Sequence, residues 1–451
     1  MTLSAEEQYL LELINRARLN PVAEAARNGI DLNQSLTAGT LQGGSRQVLA
    51  PNALLESAAT AHTLWMLAND VFSHTGVNGS TPWARAGDAG YVYSTVGENI
   101  AWRGTSASSF DVGSYIEMQH NDLFLSAGHR VNMLNDSYRE IGLGQETGYF
   151  NTSGRDWNSS MLTELFGTSG SRYFVTGVAY TDRDANDFYG IGEGLGGVQV
   201  ASGAASTTTA AAGGYALGLA AGTAVAVNGT VAGKAFSLTV DLSQGNVKLD
   251  IVGGTEFFTS GSITLRTGIH CATLLGLDDL SLAGNAYRNV LIGNAGRNDM
   301  QGRAGNDVLY GNDGNDRLGG GDGDDRLYGG NGNDSLAGGA GIDQLSGGYG
   351  NDYLRGDGGN DGLSGGLGAD RFVFGDLFGA DAITDFALAE GDRLRLDNAL
   401  WDNLALTDAQ MLARYATVTA AGVLLDFGDG GSLLLQGLTA TAGLAAAIDV
   451  F

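Results

Sequence analysis

The chain of 451 residues carries a net charge of −26, with 73 glycines, three prolines and a single cysteine. That length suits about three domains, and so acidic a balance argues against nucleic acid and anionic membrane surfaces as partners. Cys271 alone cannot build a disulfide framework, and no apolar run is long enough to span a membrane. The first residues, Met1-Thr-Leu-Ser-Ala-Glu-Glu-Gln, lack the basic and apolar regions of a signal peptide.

In chain order, Ser4 and Glu7 form a capping box, and Tyr9, Leu10, Leu13, Ile14 and Ala17 give the helix that follows one apolar face. Pro21 is expected to mark its end. A second helix is expected over Leu54–Asp70, with Leu55, Ala58, Ala59, His62, Trp65 and Met66 at helical spacing. His62 lies inside that stripe and reads as core. Phe72-Ser-His74-Thr-Gly and Gly97-Glu98-Asn99-Ile100-Ala101 follow. A third helix spans about Ser114–Ser126 and leads into Gly128-His129-Arg130-Val-Asn132. Segments around Glu140–Gly144 and Leu162–Gly167 read as strands.

These motifs, with L-x-x-I-N-x-x-R at Leu11–Arg18 and I-G-x-G at Ile141–Gly144, resemble a bacterial CAP domain. That is the superfamily of cysteine-rich secretory proteins, antigen 5 and pathogenesis-related 1. The resemblance covers about residues 4–180, assigned to a domain at 1–178, and implies an α-β-α sandwich. It also implies a cleft lined by His74, Glu98 and His129. Two imidazoles and a carboxylate suit Zn²⁺ with a position open for water, or a small-molecule, lipid or surface ligand without metal. Plant and animal members add a glutamate on the helix before G-H, where this chain has Ser126, so that tetrad is incomplete. Glu117 and Glu164 are further carboxylates near these motifs. His120, three residues after Glu117, reads as ordinary core or surface. Metal-assisted hydrolysis, ligand binding and a purely structural polar network all stay open, and no H-E-x-x-H spacing favours the first.

From about Val175 the composition changes, and residues 179–252 read as short alternating strands. Asp182, Asp184, Asn186 and Glu193 stand at positions 1, 3, 5 and 12 of an EF-hand-like calcium loop. Asp187 stands where that loop prefers glycine, and no helices flank it. The segment resembles a Cna-B/SdrD-B-type β-sandwich with its D-x-D-x-N loop; an Asx-rich surface turn is the plainer alternative. Residues 253–283 look like degenerate coils leading into the next element.

Ten nine-residue units without insertion or deletion run from Gly284 to Val373 and read G-G-x-G-x-D-x-L-x. The sixth position holds Asn289 and Asn298, then Asp307, Asp316, Asp325, Asp334, Asp343, Asp352, Asp361 and Asp370. The eighth holds leucine in eight units, Met300 and Phe372 in the others. Glycines allow turns closed to other residues, turn carbonyls and Asp carboxylates are hard oxygen ligands that suit Ca²⁺, and the apolar residues stack into one narrow core. A flexible or disordered acidic tract leaves that apolar period unexplained. The stretch resembles the calcium-binding parallel β-roll of RTX proteins. The two Asn units should be weak or empty sites, and ions shared between units n and n+2 give about six well-formed sites.

Residues 374–451 resemble the cap of such a roll, with Asp381, Asp385 and Asp392 candidates for one more ion. The end, Ile448-Asp449-Val450-Phe451, is similar to the uncleaved signal that RTX proteins present to type I secretion machinery. The expected fold is therefore multidomain: an α-β-α sandwich, a small β-sandwich and a calcium-bound parallel β-roll. The expected function is that of an extracellular, calcium-dependent protein whose roll folds after export and whose N-terminal cleft binds a ligand. A metal-dependent hydrolase and a structural surface or matrix protein are the alternatives.

Overall fold

The computed structural model of the protein describes residues 3–222, 224–375, 378–401 and 403–451, divided between two compact units, Met1–Gly261 and Ser262–Phe451.

The first unit opens with α1 (Ala5–Leu19), whose capping box is present: Ser4 Oγ accepts from Glu7 N–H at 3.1 Å, and Glu7 accepts from Ser4 N–H at 2.9 Å. Such a cap stabilises a helix by about 1 kcal/mol. Pro21 ends α1 by starting another helix, α2 (Pro21–Arg27), with Asn20 capping Ala23 N–H. Proline fits there because its missing N–H has no intrahelical use in the first turn. The elements that follow are β1 (Ala50–Pro51), α3 (Ala53–Asn69), α4 (Pro82–Asp88), β2 (Thr95–Thr105), α5 (Val112–Leu125), α6 (Ala127–Met133), β3 (Glu140–Thr152) and β4 (Arg155–Thr168).

The strands form one sheet in the order β1-β3-β4-β2. Leu143, Leu162 and Phe166 face α1 and α5 and join Leu10, Ile14, Ile116 and Phe124 in the main core. The opposite face of β3 carries Gly142 and Gly144. A Cβ at either would enter the backbone of α3, at Leu55–Glu56 and Ala59–Thr60. The I-G-x-G motif is thus a packing device: glycines let a helix lie directly on the sheet. Helices cover both faces.

Strand β5 (Arg172–Tyr180) does not join that sheet. It pairs antiparallel with β8 (Gly214–Ala220) and parallel with β11 (Val247–Val252), which pairs in turn with β12 (Glu256–Thr259). A second sheet is built from β6 (Gln199–Ser202), β7 (Ala205–Thr208), β9 (Ala224–Val231) and β10 (Lys234–Asp241). Phe236 of β10 packs on Phe257 of β12 at 5.0 Å between ring centres, joining the sheets. A boundary after residue 178 falls inside β5. Buried Lys248 ties β11 to α1 through Glu12 at 2.8 Å, and Asp250 also pairs with Lys248.

In the second unit, the repeats wind into a parallel solenoid. Strands Asp299–Ala304, Arg317–Asp322, Ser335–Ala340 and Tyr353–Gly358 lie in one sheet. Val308–Asp313, Arg326–Asn331, Gln344–Tyr349 and Gly362–Leu367 lie in the other. Each strand pairs with the residue 18 positions on, two units along. The eighth-position residues from Leu291 to Phe372 are all buried, which forms the narrow core that the spacing predicts. The leading strands Ile263–Leu265, Cys271–Leu274 and Ser281–Ala283 continue the parallel pairing, the first two with an offset one residue longer. At the far end Arg393–Leu396 pairs with Ile448–Val450, and Asp449 binds Arg393 through Oδ2 to Nε at 2.8 Å.

The fully buried Glu24 accepts from Arg16 Nη2 and Arg27 Nη1, both at 2.9 Å, and pairs with His120 Nε2 at 3.1 Å. Burial pushes its carboxyl up, but the bonds from His120 and Arg16 outweigh this and hold it at about 2. A depressed carboxyl contributes stability above its unfolded pKa of 4.5 that is lost as pH falls toward 2. That share is roughly 3 kcal/mol. Chemical denaturation of wild type between pH 5 and pH 2 should show this loss, whereas Glu24→Gln should be about 3 kcal/mol less stable at pH 7 and flatter with pH. Equal slopes in the two proteins would contradict the assignment.

Candidate functional site

Two sets of polar side chains in the first unit and one in the second could carry function. The residues expected to line a cleft in the first unit lie on or beside α4, β2 and α6. Glu98 stands on β2 beside Asn99, and alternation along the strand sends the two side chains to opposite faces. The Glu98 side chain is 1% exposed. It accepts from His74 Nδ1 at 2.9 Å and from the Arg85 guanidinium. Thr81 caps α4 with Pro82 at its first position, and the helix places Arg85 toward the cleft, where it also donates to the His74 carbonyl at 3.1 Å. Arg85 therefore supplies the fixed positive charge that a buried carboxylate needs.

His129 lies across from His74, with ring centres 6.5 Å apart. Its Nδ1 is buried without a partner, and burial, reinforced by His74, lowers its pKa. His62 is buried as expected, but it also forms part of the cleft wall. Its Nε2 meets the Ser73 carbonyl at 2.9 Å, and a Cβ on Gly76 would press on His62, Ser80 and Arg85.

Behind the cleft, Asn99 Nδ2 donates to Glu164 Oε2 at 2.9 Å and to the His129 carbonyl at 3.3 Å. Asn132 and Tyr138 complete the chain. Glu164 is thus placed under the cleft, and burial pushes its carboxyl up to about 7 against the bond from Asn99. Glu117 instead accepts from Tyr9 on α1, away from the cleft trio. The sequence reading passed over Arg85 and Asn99. The polar Asn99 and Asn132 inside the quoted motifs were the available signal for one of them. For Arg85 it was its place one turn into a helix capped by Thr81.

His74, Glu98 and His129 do not converge as a metal-ligand set. Among the described residues, Asp182, Asp184 and Glu193 form the one group of three such side chains with ligand atoms within 4.8 Å of one another. In that loop Asp187 adopts φ 57°, the left-handed turn expected at position 6. Asp182 accepts from the N–H groups of Asn186 and Asp187, Asn186 donates to Asp184 at 2.9 Å, and Glu193 accepts from Arg183 and Gly190 N–H. Tyr189, buried at position 8, packs edge-on against Tyr180.

The second unit holds two ladders. One runs Asn289–Asp307–Asp325–Asp343–Asp361–Asp381, and the other Asn298–Asp316–Asp334–Asp352–Asp370–Asp392. In each, a residue donates its backbone N–H to Oδ1 of the next at 2.7–3.0 Å. The other oxygen, Oδ2, is buried and unpartnered in Asp307, Asp316, Asp325, Asp334, Asp343, Asp352, Asp361, Asp370 and Asp381. Burial pushes these carboxyls up, to about 6 for most, about 7 for Asp343 and about 8 for Asp381. For Asp307, Asp316, Asp325, Asp334, Asp343 and Asp352 the orphaned oxygen and a turn carbonyl flank the space left by the unit's first glycine. On Gly329, a Cβ would collide with Asp334 and stand 2.5 Å from the Gly347 carbonyl oxygen. The second and fourth positions favour glycine for another reason, since from the third unit on they take positive φ, as at Gly330 (114°) and Gly332 (138°). A row of buried, unsatisfied hard oxygens fits Ca²⁺.

Asp381, Asp385 and Asp392 are not brought together. Asp381 is the last orphaned rung of one ladder. Asp392 ends the other with both oxygens bonded, to Asp370 and Ala387 N–H. Asp385 closes the turn at Ser364–Gly366.

Comparison with known proteins matches residues 11–158 to the cysteine-rich secretory protein family, CAP. Residues 283–318, 310–345 and 337–372 match the RTX calcium-binding nonapeptide repeat. No curated protein matches the chain. Among solved structures, an extracellular SCP-domain protein from Bacillus anthracis is 22% identical with a TM-score of 0.21, covering 28% of this chain and 35% of that one. An outer surface protein from Borrelia burgdorferi is 20% identical, TM-score 0.20, over 27% and 78% of the two chains. The extracellular lipase LipA from Serratia marcescens is 16% identical, TM-score 0.19, over 40% and 44%.

A methyl group at Gly329 enters the space between Asp334 and the Gly347 carbonyl. Gly329→Ala should therefore cost the calcium-loaded roll about 3 kcal/mol and raise the calcium midpoint of its folding at least tenfold. Circular dichroism during calcium titration reads both, and an unchanged midpoint would contradict the cradle.

Proposed function

We propose that this chain, in which a CAP-family domain precedes an RTX calcium-binding solenoid, is an extracellular protein that reaches its folded form on meeting calcium outside the cell. What carries this reading is the row of orphaned aspartate oxygens in the second unit. Without a cation, nine buried carboxylates repel one another and lack partners, so binding supplies the folding free energy itself. Extracellular modules of this kind bind calcium at roughly 10⁻⁴ to 10⁻³ M, a concentration the cytosol does not reach. An unfolded acidic repeat suits passage through a narrow exporter, as in a type I secretion route. The Asp182/Asp184/Asn186/Glu193 loop is assigned a further calcium ion on its ligand spacing and the gathered carboxylates. No helix among the described residues is long and apolar enough to cross a membrane.

The first unit is assigned ligand binding in the cleft of His74, Glu98 and His129. His74 is half exposed and bonds Glu98 through Nδ1, which leaves its Nε2 for a polar ligand, with the His129 ring 6.5 Å away. The support for this over zinc-assisted hydrolysis is the occupation of Glu98. Both of its oxygens are engaged, one by the permanent charge of Arg85, which opposes a second cation there.

Two measurements test the reading. The full chain in excess EGTA should lose much of the β signal of its second unit, which holds roughly half of the strand residues, in far-ultraviolet circular dichroism and regain it in millimolar calcium. Equal spectra would sink the calcium-driven account. For the cleft, a small-molecule and lipid panel screened by thermal shift should give a ligand whose affinity falls at least tenfold in His74→Ala/His129→Ala at unchanged fold. Stoichiometric zinc in wild type that disappears in that variant would replace ligand binding with metal-assisted chemistry.

A further inference from the structure

The two ladders do not begin as they continue. Asn289 and Asn298 occupy the aspartate position in the first two units, and their oxygens point into the same space as the aspartates, facing the carbonyls of Gly302 and Gly311. Yet no side-chain atom of Asn285, Asn289, Asn294 or Asn298 is among the buried unpartnered ones. Asn289 Oδ1 accepts from Asn285 N–H at 2.8 Å, and Asn298 Oδ1 from Asn294 N–H at 2.9 Å. The donors sit at the second position of each unit.

That position explains the difference. From the third unit on, the second residue takes positive φ, even where it is Arg303 (85°), Asn312 (75°) or Asp357 (68°), whereas Asn285 and Asn294 do not. In those later units no N–H reaches Oδ2. In the first two, the N–H turns inward and does what a cation would do elsewhere. The same asparagines fasten the turns to the loops before them. Asn285 and Asn289 donate to the Ile269 carbonyl, at 2.8 and 3.4 Å, and Asn294 donates to the carbonyls of Leu275 and Asp278. Asn298 Nδ2 donates to Asn294 Oδ1 at 2.7 Å. An amide carries no charge, so these turns close without the mutual repulsion that opposes the aspartate turns.

We infer that the turns over Gly284–Gln301 close on their own amides and stand folded without calcium, as the template on which calcium adds the aspartate turns one after another. The inference rests on the calcium reading of the aspartate ladders. A stacked-repeat fold gains stability mainly through nearest-neighbour interfaces, and its costly step is the first pair of coils. A preformed edge removes that step. Asn289 and Asn298 already present backbone N–H groups to Asp307 and Asp316, so each ladder has a first rung waiting for its first charged residue. Growth then proceeds from residue 302 toward the cap.

Hydrogen exchange with mass spectrometry on the full chain tests this, in excess EGTA and in millimolar calcium. In EGTA, peptides within 284–301 should exchange at least tenfold more slowly than peptides within 320–361, and in calcium both should be protected. Equally fast exchange in EGTA, with protection of both in calcium, would overturn the template while leaving the calcium reading intact. Equally slow exchange in both solutions would overturn the calcium reading, and the template with it. The Asn289→Asp/Asn298→Asp double variant supplies the second arm. It should lose the protection of 284–301 in EGTA and regain it in calcium, which also shows that the variant folds. Retained protection in EGTA would mean that the amides do not close these turns.

Discussion

The structure of the second unit depends on one unmet electrostatic need. Its aspartates are held by backbone N–H groups on one oxygen and by nothing on the other, in rows buried at the turns of the solenoid. Burying an unpaired carboxylate is among the largest penalties a fold can carry, and here it recurs along both ladders. The apolar core offsets little of it, because each unit buries a single leucine-sized side chain, for roughly 2–3 kcal/mol. Cations on those oxygens convert the penalty into the largest stabilising term available. The net charge of −26 is in this sense a specification for bound cations rather than for a basic partner.

The first unit meets the same problem with its own side chains. Glu24 has Arg16, Arg27 and His120; Glu98 has Arg85 and His74; Glu12 and Asp250 share Lys248. These acids are answered within the chain, while Glu164 keeps one oxygen unpartnered, and the unit is built on ordinary layers of helix and sheet. The division of labour is physical. One unit pairs several of its buried acids with its own cations, and the other leaves a row of carboxylate oxygens without partners. Beside His74 and His129, the Glu98–Arg85 pair is charge-balanced.

Much of this was legible in the sequence where a local rule acts alone. The nine-residue period fixes the strand, the turn and the buried leucine together, so the solenoid and its register follow from spacing. Ser4 and Glu7 announce a helix start, and Leu55 to Met66 a buried helical face. What escaped depends on partners distant in sequence. Strand β5 continues the chain from β4 yet pairs with β8 and β11, a choice no local pattern encodes. Pro21 reads as a stop but starts α2, since both uses share one dihedral preference. Arg85 finds Glu98 only once α4 and β2 are docked. Asp381, Asp385 and Asp392 look like one site because they lie close in sequence, but the cap separates them onto different turns. The asparagines at 289 and 298 look like lost ligands, and only the turn conformation at Asn285 and Asn294 reveals that they are bonded.

The central claim is that the orphaned ladder oxygens are cation sites, and counting the ions tests it most directly. The full chain should be equilibrated in millimolar calcium, separated from free ion, and its bound calcium measured by elemental analysis. The account predicts about six or more ions per chain, falling in steps as ladder aspartates are replaced by asparagine. One ion or none, with the solenoid still folded, would contradict it.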